Sequence, residues 1–179
     1  MTLNVERVPL LRPGEMVDLD QDRARPWFAP ERPLPVEADL VRGACDAVSA
    51  HSWNDPRAKR LGRVSLSQSL TELVGRGPGL TPAGDDALLG YLLARNDRPA
   101  SARIVWAIRG ATTAPSEALV RWTARGQPPE VAATMLAAIL RADGRALGPA
   151  LVRLVALGGT TGRAILTGII AGLRTPDDA

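Results

Sequence analysis

The sequence predicts a mainly α-helical fold, a single-domain helical bundle with glycine-rich loops at helix N-termini and a short extended or β N-terminal arm. Aromatic residues make up only 3% of the 179 residues and hydrophobic residues 45%, so the core must be built mainly from Leu, Ala, Val and Ile. Such a core favours packed helices over sheets. No break in composition divides the chain, and its length suits one well-buried domain.

The N-terminal arm is predicted over residues 1–35, which contain six prolines. Proline removes a backbone donor and clashes within a helix, so this density excludes a long helix there. Residues 5–11 and 15–19 could each form a short strand. The helical domain is then expected over residues 36–179.

From Val36 onward the apolar residues recur with a period near 3.6, and Gly, Pro or Thr separates one periodic segment from the next. Ser65 or Ser67 is suited to cap the second helix. Residues 103–108 also suit a strand, but we assign them to a helix. The predicted helices are 36–52, 65–74, 85–95, 99–110, 114–124, 128–142, 145–157 and 161–173.

Charge and cysteine content exclude several classes of protein. The net charge is only +3 and the arginines are scattered, which indicates solvated helix faces rather than a nucleic-acid surface. The single Cys45 has no partner for an internal disulfide, and residues 1–11 lack the layout of a signal peptide, so a cytoplasmic location is expected. The apolar stretch 154–173 is interrupted by Arg163 and by the glycines and threonines of 158–162, which favours a buried helix over a membrane span.

Residues 75–86 form the loop with the strongest functional signal. Thr81 followed by Pro82 is typical of a helix start, with the threonine hydroxyl as cap and proline in the first helical position. Four glycines, at 75, 77, 79 and 84, permit positive φ and close backbone approach, so their N–H groups could face a ligand oxygen. This geometry suits phosphate or carboxylate at a helix N-terminus.

Two later segments offer the same hydroxyls and amides before a helix, namely residues 112–116 and 158–162. If the helix starts at Thr81, Thr113 and Thr161 converge, they would form a pocket of neutral donors for a small anionic substrate. Alternatively, the threonines are present only because their hydroxyls cap the helices, with no role in binding a ligand. The candidate substrate-binding residues are Gly77, Gly79, Thr81, Gly84, Thr112, Thr113, Ser116, Thr160, Thr161 and Gly162.

Asp85 and Asp86 are the candidate catalytic residues. They could hold Mg²⁺, orient a substrate amide or act as a general base. Alternatively, both carboxylates simply favour the positive end of the helix dipole. Ser116 is predicted to be a ligand rather than a nucleophile, because the one histidine, His51, lies in the first predicted helix without an evident acidic partner. One His and one Cys also argue against a zinc site.

A ladder of small residues, Ala164, Gly168 and Gly172, follows one side of the last predicted helix. Such spacing permits close helix packing. The apolar remainder of this helix could support association of two copies of the chain.

The string from Gly77 to Asp86, Gly-Pro-Gly-Leu-Thr-Pro-Ala-Gly-Asp-Asp, followed by Leu88, Leu89 and Gly90, resembles the signature of the AllH-type subunit family of oxamate carbamoyltransferase. Residues 112–116 and 160–162 match later motifs of that family in the same order, and the resemblance covers about residues 65–173. Ala83 stands where the family usually has serine.

The resemblance implies carbamoyl transfer between oxalurate and phosphate, giving oxamate and carbamoyl phosphate, in allantoin or purine-nitrogen catabolism. It also implies two different partner subunits. The main hypothesis is therefore a small-anion-binding subunit of a carbamoyltransferase-like enzyme. The alternative is a non-catalytic regulatory or partner protein that retains a small-metabolite pocket.

Overall fold

The computed structural model describes residues 32–175 of the chain. Over these residues the secondary structure consists of eight α-helices and two short 3-10 helices, with no strand. The α-helices are α1 (Ala38–Val48), α2 (Leu66–Leu73), α3 (Ala83–Arg95), α4 (Arg98–Ile108), α5 (Ala114–Ala124), α6 (Glu130–Leu140), α7 (Gly144–Val155) and α8 (Thr161–Arg174). The 3-10 helices are Ser49–His51 and Ala58–Arg60.

The mainly α-helical prediction is confirmed, and each predicted helix has a counterpart in the structure. Residues 103–108, which also suited a strand, lie within α4. The first predicted helix, 36–52, is α-helical only to Val48 and continues as a 3-10 helix to His51. Ser65 caps α2, because its side chain accepts the backbone N–H of Gln68. The strands predicted at 5–11 and 15–19 lie outside the described residues.

The centre of the fold is the pair α3 and α8. A Cβ added to Gly168 would lie 1.9 Å from the carbonyl oxygen of Ala87, and one added to Gly172 would lie 2.9 Å from that of Tyr91. Only glycine permits backbones to approach this closely. Because the paired residue numbers rise together, the two helices run parallel, and their N-termini lie at the same end of the molecule.

Two further glycines allow α2 and α7 to pack closely against this pair. Gly84 in the first turn of α3 packs under the carbonyl of Leu73 at the end of α2, where an added Cβ would be 2.0 Å from the oxygen. Gly162 in α8 packs equally closely under the carbonyl of Leu154 in α7, at 1.7 Å. The starts of α3 and α8 are therefore held against the helices that precede them.

The small-residue ladder predicted in α8 is thus an internal packing surface. Ala164 and Gly168 are buried within the single chain, as are Ile165 and Ile169 beside them. This apolar face of α8 is covered by the chain itself, and association of two copies stays a prediction. Among the helices of residues 32–175, none combines the length and the hydropathy that crossing a bilayer requires.

Candidate functional site

Three helix starts meet at one end of the α3–α8 pair. The hydroxyl oxygens of Thr81, before α3, and Thr161, the first residue of α8, are 3.2 Å apart. The hydroxyl of Thr113, at the start of α5, donates to the backbone carbonyl of Leu80, next to Thr81. The loops before α3, α5 and α8, which are far apart in sequence, therefore converge in space.

The predicted capping role of Thr81 is wrong. Pro82 occupies the N-cap position of α3 and has no side-chain capping bond to offer, while its carbonyl accepts the N–H groups of Asp85 at 2.9 Å and Asp86 at 3.1 Å. This places Thr81 one residue outside the helix, where its hydroxyl faces Thr161 instead. The cap predicted at Thr113 is present, since its side chain accepts the N–H of Ser116 at 3.3 Å.

Asp85 is buried, with 1% of its surface exposed, and both of its carboxylate oxygens are occupied. Oδ1 accepts the backbone N–H of Gly75 at 2.7 Å. Oδ2 accepts the hydroxyl of Ser116 at 2.9 Å and that of Thr112 as well. Three donors from two loops therefore converge on this one side chain, which ties the glycine loop and the start of α5 to α3.

Asp86 is equally buried, at 2% exposed, but its surroundings differ. Its Oδ2 has no hydrogen-bond partner among the described residues. Burial raises the pKa of this carboxyl to about 7, the nearby Thr161 and Thr81 hydroxyls oppose the rise, and the charge of Asp85 adds to it. A buried polar atom without a partner is costly, so Asp86 is the group in this cluster that calls for a functional explanation.

The glycine loop only partly fits the predicted anion cradle. Gly75, Gly77 and Gly79 have positive φ, as predicted, whereas Gly84 is an ordinary helical residue. The N–H of Gly75 is bound to Asp85, and that of Gly84 donates to the carbonyl of Arg76 at 2.8 Å. The amides of Gly75 and Gly84 are therefore hydrogen-bonded within the protein. The expectation that the glycine amides could face a ligand is wrong for these two.

Two backbone acceptors at the site were not predicted from the sequence, the carbonyls of Leu80 and Arg76. No side-chain pattern marks a carbonyl that a distant loop will use, so no signal in the sequence could have identified them. Gly162 is also chiefly a packing residue, given its contact with Leu154. Thr160 is the N-cap residue of α8 but makes no side-chain capping bond.

The predicted Mg²⁺ ligands do not form a cluster of the usual kind. Within residues 32–175 no group of three or more His, Cys, Asp or Glu side chains is placed to hold a metal ion. The oxygens of Asp85 are occupied by three donors, which leaves Asp86 as the carboxylate that could reach a cation. Magnesium binding stays a prediction.

The remaining reactive side chains take no part in this cluster. His51 is exposed at the end of the 3-10 helix that follows α1, and its carbonyl accepts Arg163 at 3.3 Å. Cys45 is buried in α1, and burial raises the pKa of its thiol to about 11. Such a thiol is a poor nucleophile.

Comparison with known proteins identifies one family. The family model described as oxamate carbamoyltransferase subunit AllH matches residues 73–173, which include the glycine loop and all three helix starts. No curated protein and no solved structure matches the chain.

Proposed function

The chain belongs to the family of oxamate carbamoyltransferase subunit AllH, and we propose that it is the subunit of a carbamoyltransferase-like enzyme that binds the small anionic substrates. The proposed ligands are oxalurate or oxamate together with phosphate or carbamoyl phosphate. The proposed site is the cluster of Thr81, Thr161 and Asp86, which we call the threonine site.

The observation that carries this proposal is the unpartnered Oδ2 of Asp86 beside two threonine hydroxyls. Oxamate, oxalurate and carbamoyl phosphate each carry anionic oxygens and an amide or carbamoyl N–H. Threonine hydroxyls and the positive ends of α3 and α8 suit the anionic oxygens. The free oxygen of Asp86 suits the N–H. The same ligand thus satisfies both halves of the site.

The chemistry assigns a role to the raised pKa of Asp86. In the direction that forms oxamate, a phosphate oxygen attacks the ureido carbon of oxalurate, the carbon–nitrogen bond breaks, and oxamate departs through its nitrogen. That nitrogen must gain a proton, which the protonated Asp86 carboxyl would supply. In reverse, the carboxylate would take the proton from the attacking amide. A pKa of about 7 makes both forms accessible at neutral pH.

Partner subunits form part of this proposal, because the family is named as a subunit of a larger enzyme. Leu80 lies at the rim of the threonine site and is 75% exposed, and Leu157, before α8, is 38% exposed. Apolar side chains at the edge of a polar site are suited to contact another chain. We propose that a second subunit of the enzyme covers this rim.

Ligand-induced stabilisation of the full chain tests the proposal. Thermal unfolding with oxamate, carbamoyl phosphate or phosphate should show a rise in Tm, because a ligand that binds only the native state stabilises it. Asp86→Asn and Thr161→Val should each weaken oxamate binding about tenfold or more, since each removes a hydrogen-bonding group from the site.

Matched controls carry the same chemical changes away from the site. Asp97→Asn changes a carboxylate that makes no capping bond to α4, and Thr71→Val changes an exposed threonine of α2. Both should bind oxamate as the parent chain does. Absence of any Tm shift at anion concentrations far above physiological, or equal affinity in Asp86→Asn, would overturn the proposal.

The alternative is a non-catalytic regulatory or partner protein that retains the pocket. One observation favours it, namely that one of the two candidate catalytic carboxylates, Asp85, is fully engaged in hydrogen bonds within the protein. A non-catalytic role predicts that the chain binds oxamate but shows no turnover after the other subunits are added. Carbamoyl phosphate formation by the reconstituted complex, lost in Asp86→Asn, would exclude it.

A further inference from the structure

The three loops that meet at the threonine site carry no charged side chain. Residues 77–84, 110–116 and 156–162 contain no Asp, Glu, Lys, Arg or His, although charged residues make up 23% of the chain. Much of this surface is exposed, including Leu80 at 75% and Leu157 at 38%. Few charges together with exposed apolar side chains are typical of the centre of a protein–protein interface.

The loops form one continuous surface. The hydroxyl oxygens of Thr81 and Thr161 are 3.2 Å apart, and the Thr113 hydroxyl donates to the carbonyl of Leu80. Gly79, at the tip of the glycine loop, is exposed, and a Cβ added to it would meet nothing within 4 Å. Another chain can therefore approach the threonine site across these loops.

The charge at the threonine site does not match its proposed ligands. Within residues 32–175 no arginine or lysine lowers the pKa of Asp86, and the charge that acts on it is that of Asp85. The starts of α3, α5 and α8 contribute about half a positive charge each, and the carboxylate of Asp85 offsets most of this. A phosphate group carries about 1.5–2 negative charges at neutral pH, and oxalurate adds a carboxylate. The two substrates together need a cation that the described residues do not supply.

Arg76 and Arg163 adjoin the loops before α3 and α8, but neither is hydrogen-bonded to Asp86 Oδ2. Arg163 donates to the carbonyl of His51 at 3.3 Å. Arg76 begins beside Gly84, since a Cβ added to this glycine would lie 3.1 Å from the Cβ of Arg76. About 200° of rotation around α3 separates the side chains at 84 and 86. Arg76 therefore starts on the side of the helix that faces away from Asp86.

We propose that the active site is composite, and that another subunit of the enzyme covers the uncharged loops and inserts an arginine or lysine beside the substrate oxygens. The inference rests on the proposed function, because it takes oxalurate and phosphate as the ligands. A partner that presents a cation fits this surface, since the anionic ligands lie beneath it. The description of the family as a subunit gives a separate reason to expect a second chain. A second copy of this chain, paired through the same loops, would bring no cation.

A cation placed at the rim of this chain tests the inference. Leu80 is 75% exposed, so Leu80→Arg should fold. In calorimetric titration of the full chain at low salt, the variant should bind inorganic phosphate about tenfold more tightly than the parent, because a charge-assisted hydrogen bond is gained.

The same variant should assemble about tenfold more weakly with the other subunits, because the new arginine takes the place of the partner's cation and repels it. An interface of purely apolar contacts would lose assembly without any gain in phosphate affinity. The two opposite effects in one variant therefore identify a cation supplied by the partner.

Leu34→Arg is the matched control, because Leu34 is 88% exposed and lies close in sequence to Arg32, which binds the carbonyl of Leu93 near the far end of α3. It should leave both affinities unchanged. Because the full chain is titrated, a cation supplied by residues 1–31 would show as tight phosphate binding by the parent that Leu80→Arg does not improve. That result would overturn the inference.

Parallel titration with oxamate separates this inference from the proposed function. Oxamate binding by the parent, with phosphate affinity and assembly unchanged in Leu80→Arg, would overturn the composite site and leave the proposed function standing. Absence of oxamate and phosphate binding in both chains would overturn the two together.

Discussion

Replacing Gly168 by alanine should destabilise the protein far more than replacing a glycine whose added Cβ would meet no other atom. The added Cβ would lie 1.9 Å from the carbonyl oxygen of Ala87 and 2.6 Å from the backbone nitrogen of Tyr91. Both atoms belong to the backbone of α3, so no side chain can rotate away. Ordinary contact begins at 3.4 Å, and α3 and α8 would have to separate by about 1.5 Å.

The magnitude follows from what this separation does to the core. Large side chains such as Leu88, Leu89, Ile165 and Ile169 are almost completely buried around this pair. Burying each contributes about 1.5–3 kcal/mol, and a gap of even 1 Å loses roughly a quarter to a half of the dispersion contact. Together with overpacking strain of about 1–3 kcal/mol, the loss should be at least about 3 kcal/mol.

Urea unfolding of Gly168→Ala against the parent chain measures this loss, and Tm should fall by roughly 10 °C or more. Gly43→Ala is the matched control, because Gly43 lies within α1 and an added Cβ there meets nothing within 4 Å. It should stabilise the chain by up to about 1 kcal/mol through helix propensity. Equal effects of the two substitutions would refute the close α3–α8 packing described above.

Three further predictions follow from the buried polar and thiol groups. Asp85→Asn should lower the free energy of unfolding, measured in urea, by about 2–4 kcal/mol, because an amide NH₂ would face donors that now bind carboxylate oxygens. A loss under about 0.5 kcal/mol would contradict the role of Asp85 in holding the two loops together. Asp86 holds its proton in the native state up to a pKa of about 7, well above the 3.8 of an ordinary Asp. Stability should therefore fall by about 2–3 kcal/mol between pH 5 and 8 and be flat above that; Asp86→Asn should remove this component, and an unchanged pH profile in that variant would assign it to another group. Cys45, 1% exposed and with its pKa raised to about 11, should react with a thiol reagent at pH 8 only after denaturant is added; rapid labelling of the native chain would show that α1 opens.

The helices could be predicted from the sequence because local signals mark their ends. Pro115 and the Thr113 cap define the start of α5, and Asn96, in a left-handed conformation, follows the last residue of α3. Such signals act within one or two turns of a helix and need no knowledge of the tertiary structure. These signals fail at Thr81. The N-cap of α3 is Pro82, one residue later, so the hydroxyl of Thr81 faces Thr161 of α8 instead of capping α3.

The difference in hydrogen bonding between Asp85 and Asp86 could not be predicted in the same way. Adjacent helical residues point about 100° apart, so the two carboxylates were bound to have different neighbours. Which one would be satisfied depended on Ser116 and Thr112, some 30 residues away in sequence.

A crystal structure of the full chain grown with oxamate tests the central claim most directly. The proposed function predicts one oxamate at the threonine site, with its amide nitrogen within hydrogen-bonding distance of Asp86 Oδ2 and its carboxylate near the hydroxyls of Thr81 and Thr161. Oxamate bound only elsewhere, or an unliganded threonine site at saturating oxamate, would contradict it.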